Sequence, residues 1–273
     1  MKLLTRKSLF RIPLWVLLGF SYWGFSQYLD EQNIQKAVQN HNQSKRFSLV
    51  ELYTSQGCSS CPPADQILQS LAHKNKLLNS NIATLSLHVD YWNFLGWTDP
   101  NSKVQFSKRQ SFYQNKIPFK RRYTPQVIIN GTFECLGTNT SCIKKALNKS
   151  QATEINTLVT LSESGNQLIL KSDFPVSLSK QIFQIQYSWV YNQKTKYVSK
   201  GENKGRTLEN HHIAKGIVSL DPQQDIFQIS KPSLSQLNDM YLTLWLEDEN
   251  GKVIGGIQWN TTKLKPTQVT SNR

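Results

Sequence analysis

Cysteine, methionine and acidic side chains are all scarce in this chain, and each scarcity excludes something. Four cysteines in 273 residues allow two bridges at most, too few for a cystine-dense scaffold. The core must therefore come from ordinary apolar burial. A second CxxC is missing, Cys135 and Cys142 are separated by six residues, and His211 and His212 are adjacent rather than spaced. A four-ligand structural zinc site thus lacks its usual pattern. Asp and Glu number 18 against 32 Lys and Arg, for a net charge of +14. These cations are scattered rather than blocked, and neither a nucleic-acid motif nor a basic amphipathic helix accompanies them. The excess reads as a solvated basic surface, with no nucleic-acid partner expected. Long apolar runs are lacking too: "IPLWVLLGFSYWGF" falls short of the ~20 residues a spanning helix needs. No internal repeat is present.

That one run is nevertheless informative. Lys2, Arg6, Lys7 and Arg11 precede it, no acid falls within the first 26 residues, and polar sequence begins at Ser26. A basic, then apolar, then small-residue layout is that of a secretory signal. Gly24 and Ser26 would occupy the −3 and −1 positions of cleavage after Ser26. The expectation is export to the periplasm or the medium. An uncleaved anchor is the alternative, because Tyr22, Trp23 and Phe25 crowd the cleavage region, and it is the one route by which a membrane would enter. No cysteine lies near residue 26, which argues against a lipoprotein anchor. In an oxidising compartment an even cysteine count reads as disulfides.

Residues 27–45 are polar and rich in Gln and Asn, a tether or weak helix. Residues 46–150 then alternate apolar strand and helical patterns. "RFSLVELYT" is a strand; "PPADQILQSLAHKNKLL" carries Ile67, Leu68, Leu71, Leu77 and Leu78 at helical spacing; "NIATLSLHVDYW" is a strand apolar enough to be buried on both faces. This reads as a parallel βαβ unit. Ser102 to Lys116 is expected to be helical with Val104, Phe106 and Phe112 inward. "TPQVIINGTFECLG" is a hairpin turning at Asn130-Gly131, and "TSCIKKALNKS" a short helix capped by Thr140 or Ser141. From about residue 151 to 262 the texture is all-β, with turn residues at regular intervals. Residues 263–273 form a polar tail.

Cys58 and Cys61 stand where the first strand ends and the first helix begins, as "QGCSSCPPAD". Pro62 and Pro63 fit a first helical turn, where N–H donors are free anyway. The order strand, CxxC, helix, strand, helix, Thr-Pro, strand, Asn-Gly, strand, helix resembles that of thioredoxin-like domains. The resemblance implies a cis-proline at Thr124-Pro125, packed against the CxxC. The expected architecture is an α/β thioredoxin-like domain followed by an all-β, sandwich-like domain, with a boundary near residue 150. The stretches "VELYTSQGCSSCPPAD", "HVDYWNFLGWTDP", "YTPQ" and "GENKGRTLENHH" together resemble an exported bacterial family catalogued as domain-of-unknown-function family 1223. The resemblance covers roughly residues 47–260 and implies a thioredoxin-like fold and export, without a known substrate.

On this reading Cys58 attacks and Cys61 resolves, in an exported thiol–disulfide oxidoreductase that needs no organic cofactor. Its partners would be protein thiols or disulfides and an unidentified redox partner. His88, at the end of the second strand, is a candidate to stabilise the thiolate or shuttle its proton, against a structural role under Trp92. Glu51 resembles the buried acid that assists the resolving cysteine in thioredoxins, although its spacing is one residue longer. Tyr91, Trp92, Phe94 and Trp97 offer an apolar floor for a polypeptide or simply core. "GENKGRTLENHH" reads as a hairpin loop folded back over the first domain. Cys135 and Cys142 are expected to form a structural disulfide across "LGTNTS". Two other classes stay open. Cys58, Cys61 and His88 would make a soft Cu(I) site for copper binding or delivery, although Met1 and Met240 are the only methionines. A non-catalytic binding module on the same scaffold is the third.

Overall fold

β1 (Arg46–Thr54) is buried from Phe47 onward and is partnered along both edges. The computed structural model describes residues 31–36, 38–39, 46–78, 81–119, 121–237 and 239–261. The expected signal segment, part of the tether and the polar tail lie outside them. Residues 31–36 and 38–39 are helical (α1), with Ile34 and Val38 buried against the core. After β1 come α2 (Pro62–Leu78), β2 (Ile82–His88), a 3-10 turn at Asn93–Leu95, α3 (Val104–Gln114), β3 (Gln126–Ile129), β4 (Phe133–Leu136) and α4 (Thr140–Lys149). The second half is β5 (Ala152–Glu154), β6 (Val159–Ser164), β7 (Gln167–Ser172), α5 (Val176–Ser179), β8 (Gln184–Tyr197), β9 (Thr207–Ala214), β10 (Val218–Leu220), β11 (Ile226–Ser230), α6 (Leu234–Leu237), β12 (Met240–Glu247) and β13 (Val253–Asn260).

β1 and β2 run parallel in register from Ser48–Ile82 to Thr54–His88. β3 pairs antiparallel with β1, and β4 with β3. Asn130 and Gly131 both take positive φ, +48° and +64°, as a tight hairpin turn requires. Here the expectation of an α/β thioredoxin-like domain followed by a separate all-β domain has to be corrected. One mixed sheet of ten strands runs through both halves. β9 pairs with β2 through Ser86 and Ile213, and β13 pairs with β5, which in turn pairs with β1. Following β1, β2, β9, β8, β12, β13, β5 and back to β1 closes a ring of seven strands. The physical reason is edge satisfaction: strands after residue 150 supply the backbone partners that the early sheet would otherwise leave open.

Three apolar clusters hold the layers together. On one face of the ring Phe47, Leu49, Leu85, Leu87 and Trp245 meet Phe106 and Tyr113 of α3. On the other face Val50, Leu52 and Val127 meet Leu68 and Leu71 of α2 and Ile143 and Leu147 of α4. The strand period of two sorts these residues. In β12, Leu242, Leu244 and Leu246 instead face Leu168, Leu170 and Phe227 of the separate three-stranded sheet β11-β7-β6. α3 is rotated from expectation: Phe106, Gln110 and Tyr113 are buried while Val104 and Phe112 are 57% and 39% exposed. That rotation brings Arg109 onto the buried carboxylates Glu51 and Glu247. Likewise Asn139, not Thr140 or Ser141, caps α4, its Oδ1 accepting from the Cys142 N–H at 3.0 Å.

Candidate functional site

Past Thr54 the chain leaves β1 and turns twice before α2. The Cys58 N–H donates to the Ser55 carbonyl and the Cys61 N–H to the Cys58 carbonyl. Pro62 and Pro63 open α2, where missing donors cost nothing. Cys58 and Cys61 are joined by a disulfide with Cα atoms 5.4 Å apart. Both are fully buried, while Ser59 and Ser60 between them are exposed. A Cβ at Gly57 would sit 3.3 Å from Trp92 Cβ, so Trp92 backs the turn closely.

The Thr124-Pro125 peptide is cis. Thr124 Oγ1 accepts from Trp92 Nε1 at 2.7 Å, linking the proline segment to the residue behind Gly57. Gly137 keeps Pro125 close to α2: a Cβ there would lie 2.8 Å from Pro125 Cβ and 2.9 Å from Ala64 Cβ. Of the aromatics expected to floor the site, Trp92 and Trp97 take part, Trp97 Nε1 donating to Gln56 Oε1 at 3.3 Å. Phe94 is 80% exposed.

The loop between β8 and β9 covers the cysteines. Asn203, itself buried, donates from Nδ2 to the carbonyls of Gln56 and Cys58 at 3.0 and 2.9 Å. Arg206 Nη1 donates to Asn203 Oδ1 at 2.7 Å and orients the amide. Glu202 Oε2 accepts from the Ser59 N–H at 2.9 Å, and that bond lowers the pKa of the Glu202 carboxyl.

Behind the pair lies a buried acid–base cluster. Asp99 Oδ2 accepts from the Gln56 N–H at 2.8 Å and meets His88 Nδ1 at 2.6 Å. Asp65 follows Cys61 by one helical turn, its N–H closing on the Cys61 carbonyl. Its Oδ2 accepts from Thr54 Oγ1 at 3.3 Å. Burial pushes the Asp65 carboxyl up to about 7, against the pull of His88. Burial works against a charged His88, but Asp99 and Asp65 outweigh it and leave that pKa raised. Burial likewise opposes a charged Asp99, yet His88 and the Gln56 and Asn101 amides hold its carboxyl below the usual range. His88 Nε2 and Asp65 Oδ1 are buried without a protein partner.

The structure therefore brings Cys58, Cys61, Thr124, Pro125 and His88 into one neighbourhood. Glu51 goes elsewhere. Its carboxylate is held by Arg109 Nε at 2.5 Å and Tyr113 Oη at 2.9 Å, in a buried cluster that includes Glu247. Asp65, Asp99 and Asn203 are the residues that sequence reasoning passed over. All three sit inside quoted motifs, "CPPAD", "GWTDP" and "GENKGR", where a buried polar residue next to a CxxC was the available signal. For the copper alternative, Cys58 and Cys61 are bonded to each other and His88 Nδ1 is engaged by Asp99. No group of three or more His, Cys, Asp or Glu side chains arranged to hold a metal occurs among the described residues. The Cys135–Cys142 bridge, Cα atoms 5.9 Å apart, ties β4 to the first turn of α4.

No curated protein matches the chain. Among solved structures, the crystal structure of an Agrobacterium tumefaciens protein is similar, with a TM-score of 0.62 and 21% identity. The match covers 81% of this chain and 98% of that one, and at this identity it speaks for the fold alone. The family described as "Protein of unknown function (DUF1223)" matches residues 49–243, well over half of the sequence; the chain belongs to that family.

Proposed function

We propose that the chain is a thiol–disulfide oxidoreductase of an oxidising compartment outside the cytoplasm. The observation that carries the reading is the Cys58–Cys61 disulfide at the head of α2 with a buried acid of pKa about 7 one turn behind it. A four-residue loop removes less chain entropy than the loop of Cys135–Cys142, so the bridge has the smaller value as a staple. An acid near 7 is matched to accepting a thiol proton at neutral pH. In the dithiol state the Cys58 thiolate attacks a substrate disulfide and one substrate sulfur leaves as thiolate. The Cys61 thiol gives its proton to Asp65, attacks Cys58 Sγ and expels the second substrate sulfur. The protein dithiol is oxidised and the substrate disulfide reduced; the reverse sequence oxidises a substrate dithiol. The N-terminus of α2 favours the thiolate at Cys61. Two disulfides among four cysteines favour an oxidising compartment.

Single mutants test this. Cys61→Ser keeps the nucleophile without the escape step and is expected to accumulate mixed disulfides, visible on non-reducing gels. Cys58→Ser is expected to trap few. Equal absence of adducts overturns the reading; tight Cu(I) binding abolished by both substitutions would then replace it with copper handling.

A further inference from the structure

Beneath α2 the face of β2 is polar where it should be apolar. Thr84, Ser86 and His88 occupy alternate positions of β2, so they share one face, and all three are fully buried. Parallel strands covered on both faces ordinarily carry aliphatic residues there. α2 answers with Asp65, Gln69 and His73 at successive turns, and β9 with Asn210 and His212. Ser86 Oγ, His88 Nε2 and Asp65 Oδ1 are each buried without a protein hydrogen-bond partner. Three such atoms in one row are unusual, and ordered water is the common partner of groups like these.

The row ends at a pocket of about 510 Å³ whose lining includes Gln69, His73, His211, His212 and Tyr241. Gln69 is one helical turn from Asp65. His212 Nδ1 lies 2.5 Å from Thr84 Oγ1, and its ring packs 4.8 Å from that of Tyr241. The backbone of His212 has φ +50°, a left-handed conformation whose strain in non-glycine residues concentrates at functional sites.

We propose that this row carries protons between the pocket and Cys61: His212 at the mouth, Thr84 and Ser86 along β2, His88 and Asp65 at the inner end. The proposal rests on the oxidoreductase reading. When Cys61 resolves a mixed disulfide it loses one proton to Asp65, and resolution goes to completion only as that proton passes on to water. On the front, the substrate bonded to Cys58 occupies the turn, with Asn203 and Glu202 hydrogen-bonded to its backbone. Hydroxyl groups both donate and accept, so Thr84 and Ser86 can pass a proton by rotating once ordered water bridges the ~7 Å between alternate positions of the strand. The charged groups facing the inner end are Asp99 on His88 Nδ1 and, from β8, Lys194. His73, Lys74 and Glu31 flank the mouth.

The test uses the reduced full chain and 5,5′-dithiobis(2-nitrobenzoate), followed by stopped flow. The first thionitrobenzoate released reports attack by the Cys58 thiolate; the second reports resolution by Cys61, which gives up one proton. His212→Asn, a residue type that tolerates positive φ, is expected to leave the first release unchanged and to slow the second by about tenfold. Added imidazole is expected to restore it, which no purely structural role would produce. Ser86→Ala should slow the second release without imidazole rescue, and carries the test should His212→Asn fail to fold. An unchanged second release in a folded variant overturns the path. A wild-type chain that releases no second equivalent overturns the oxidoreductase reading itself, and the path with it.

Discussion

Asn203 spans the cysteine turn, giving both hydrogens of its amide to backbone carbonyls, one of them that of Cys58. A residue of the second half thereby holds closed the turn that the first half builds. Breaking that grip is the most direct way to change access to the disulfide. Each hydrogen bond is worth about 1 kcal/mol net, so loss of both shifts the opening equilibrium by roughly 10–30-fold. Asn203→Ala should speed reduction of Cys58–Cys61 by dithiothreitol by about that factor. Arg206→Met, which only frees the amide to rotate, should have a smaller effect. Equal rates in all three proteins would mean the loop does not limit access.

Asp65 makes stability depend on pH with a definite sign. Its folded pKa, about 7, lies above that of an unfolded aspartate, so the native state binds more protons and stability falls as pH rises from about 4 to 7. His88, also raised, contributes stability that is complete below its unfolded pKa and lost as pH rises through the folded one. Asp99 is lowered and acts in the opposite sense, its contribution being lost in acid. Urea unfolding at pH 4, 5.5, 7 and 8 should show the wild type losing stability across this range and Asp65→Asn losing less. A shift of this size bounds the difference at roughly 4 kcal/mol. Parallel pH profiles would contradict the assignment.

Arg109 places its guanidinium between two buried carboxylates, with Glu51 Oε1 and Glu247 Oε1 both at 2.5 Å. Removing it strands both charges, and Arg109→Met should cost about 3–5 kcal/mol in chemical denaturation. Glu51→Gln should destabilise as well, yet leave thionitrobenzoate release from the cysteine pair unchanged. A large effect of Glu51→Gln on the resolution step would restore Glu51 to the thiol chemistry.

The Cys135–Cys142 bridge closes a short loop and should contribute about 2–3 kcal/mol. Cys135→Ala/Cys142→Ala is expected to lower Tm and leave the redox behaviour of Cys58–Cys61 intact. Loss of that chemistry in a folded double mutant would point to a relay between the pairs.

What the sequence made legible is local. Apolar runs marked β1 and β2, two prolines marked the start of α2, and Asn130-Gly131 marked a turn, because each signal lies within a few residues of the structure it dictates. Ring closure was not legible. It depends on the single pairing of Ser86 with Ile213 and on two residues of β13 meeting β5, contacts that leave no periodic trace. The change of texture near residue 150 is real, but it marks a change of strand pattern and not a break in the sheet. At the site, the cysteines announced themselves by spacing. Asp65 did not, because an acid in the first turn of a helix is ordinarily read as a partner of the helix dipole, and only packing under β2 shows it to be buried. α3 turned Arg109 inward instead of Phe112 because two buried carboxylates needed a cation.

The cover over Cys58 lies 145 residues downstream of it, and this has a consequence for biosynthesis. A chain emerging N-terminus first presents its cysteine pair well before Asn203 has been synthesised. During that interval any oxidant or thiol nearby meets an open turn. Once β8 and β9 have paired, the same bond is enclosed. The order of emergence thus separates a period in which the turn is open from a period in which it is covered, and a chain truncated before residue 203 would lack the cover altogether.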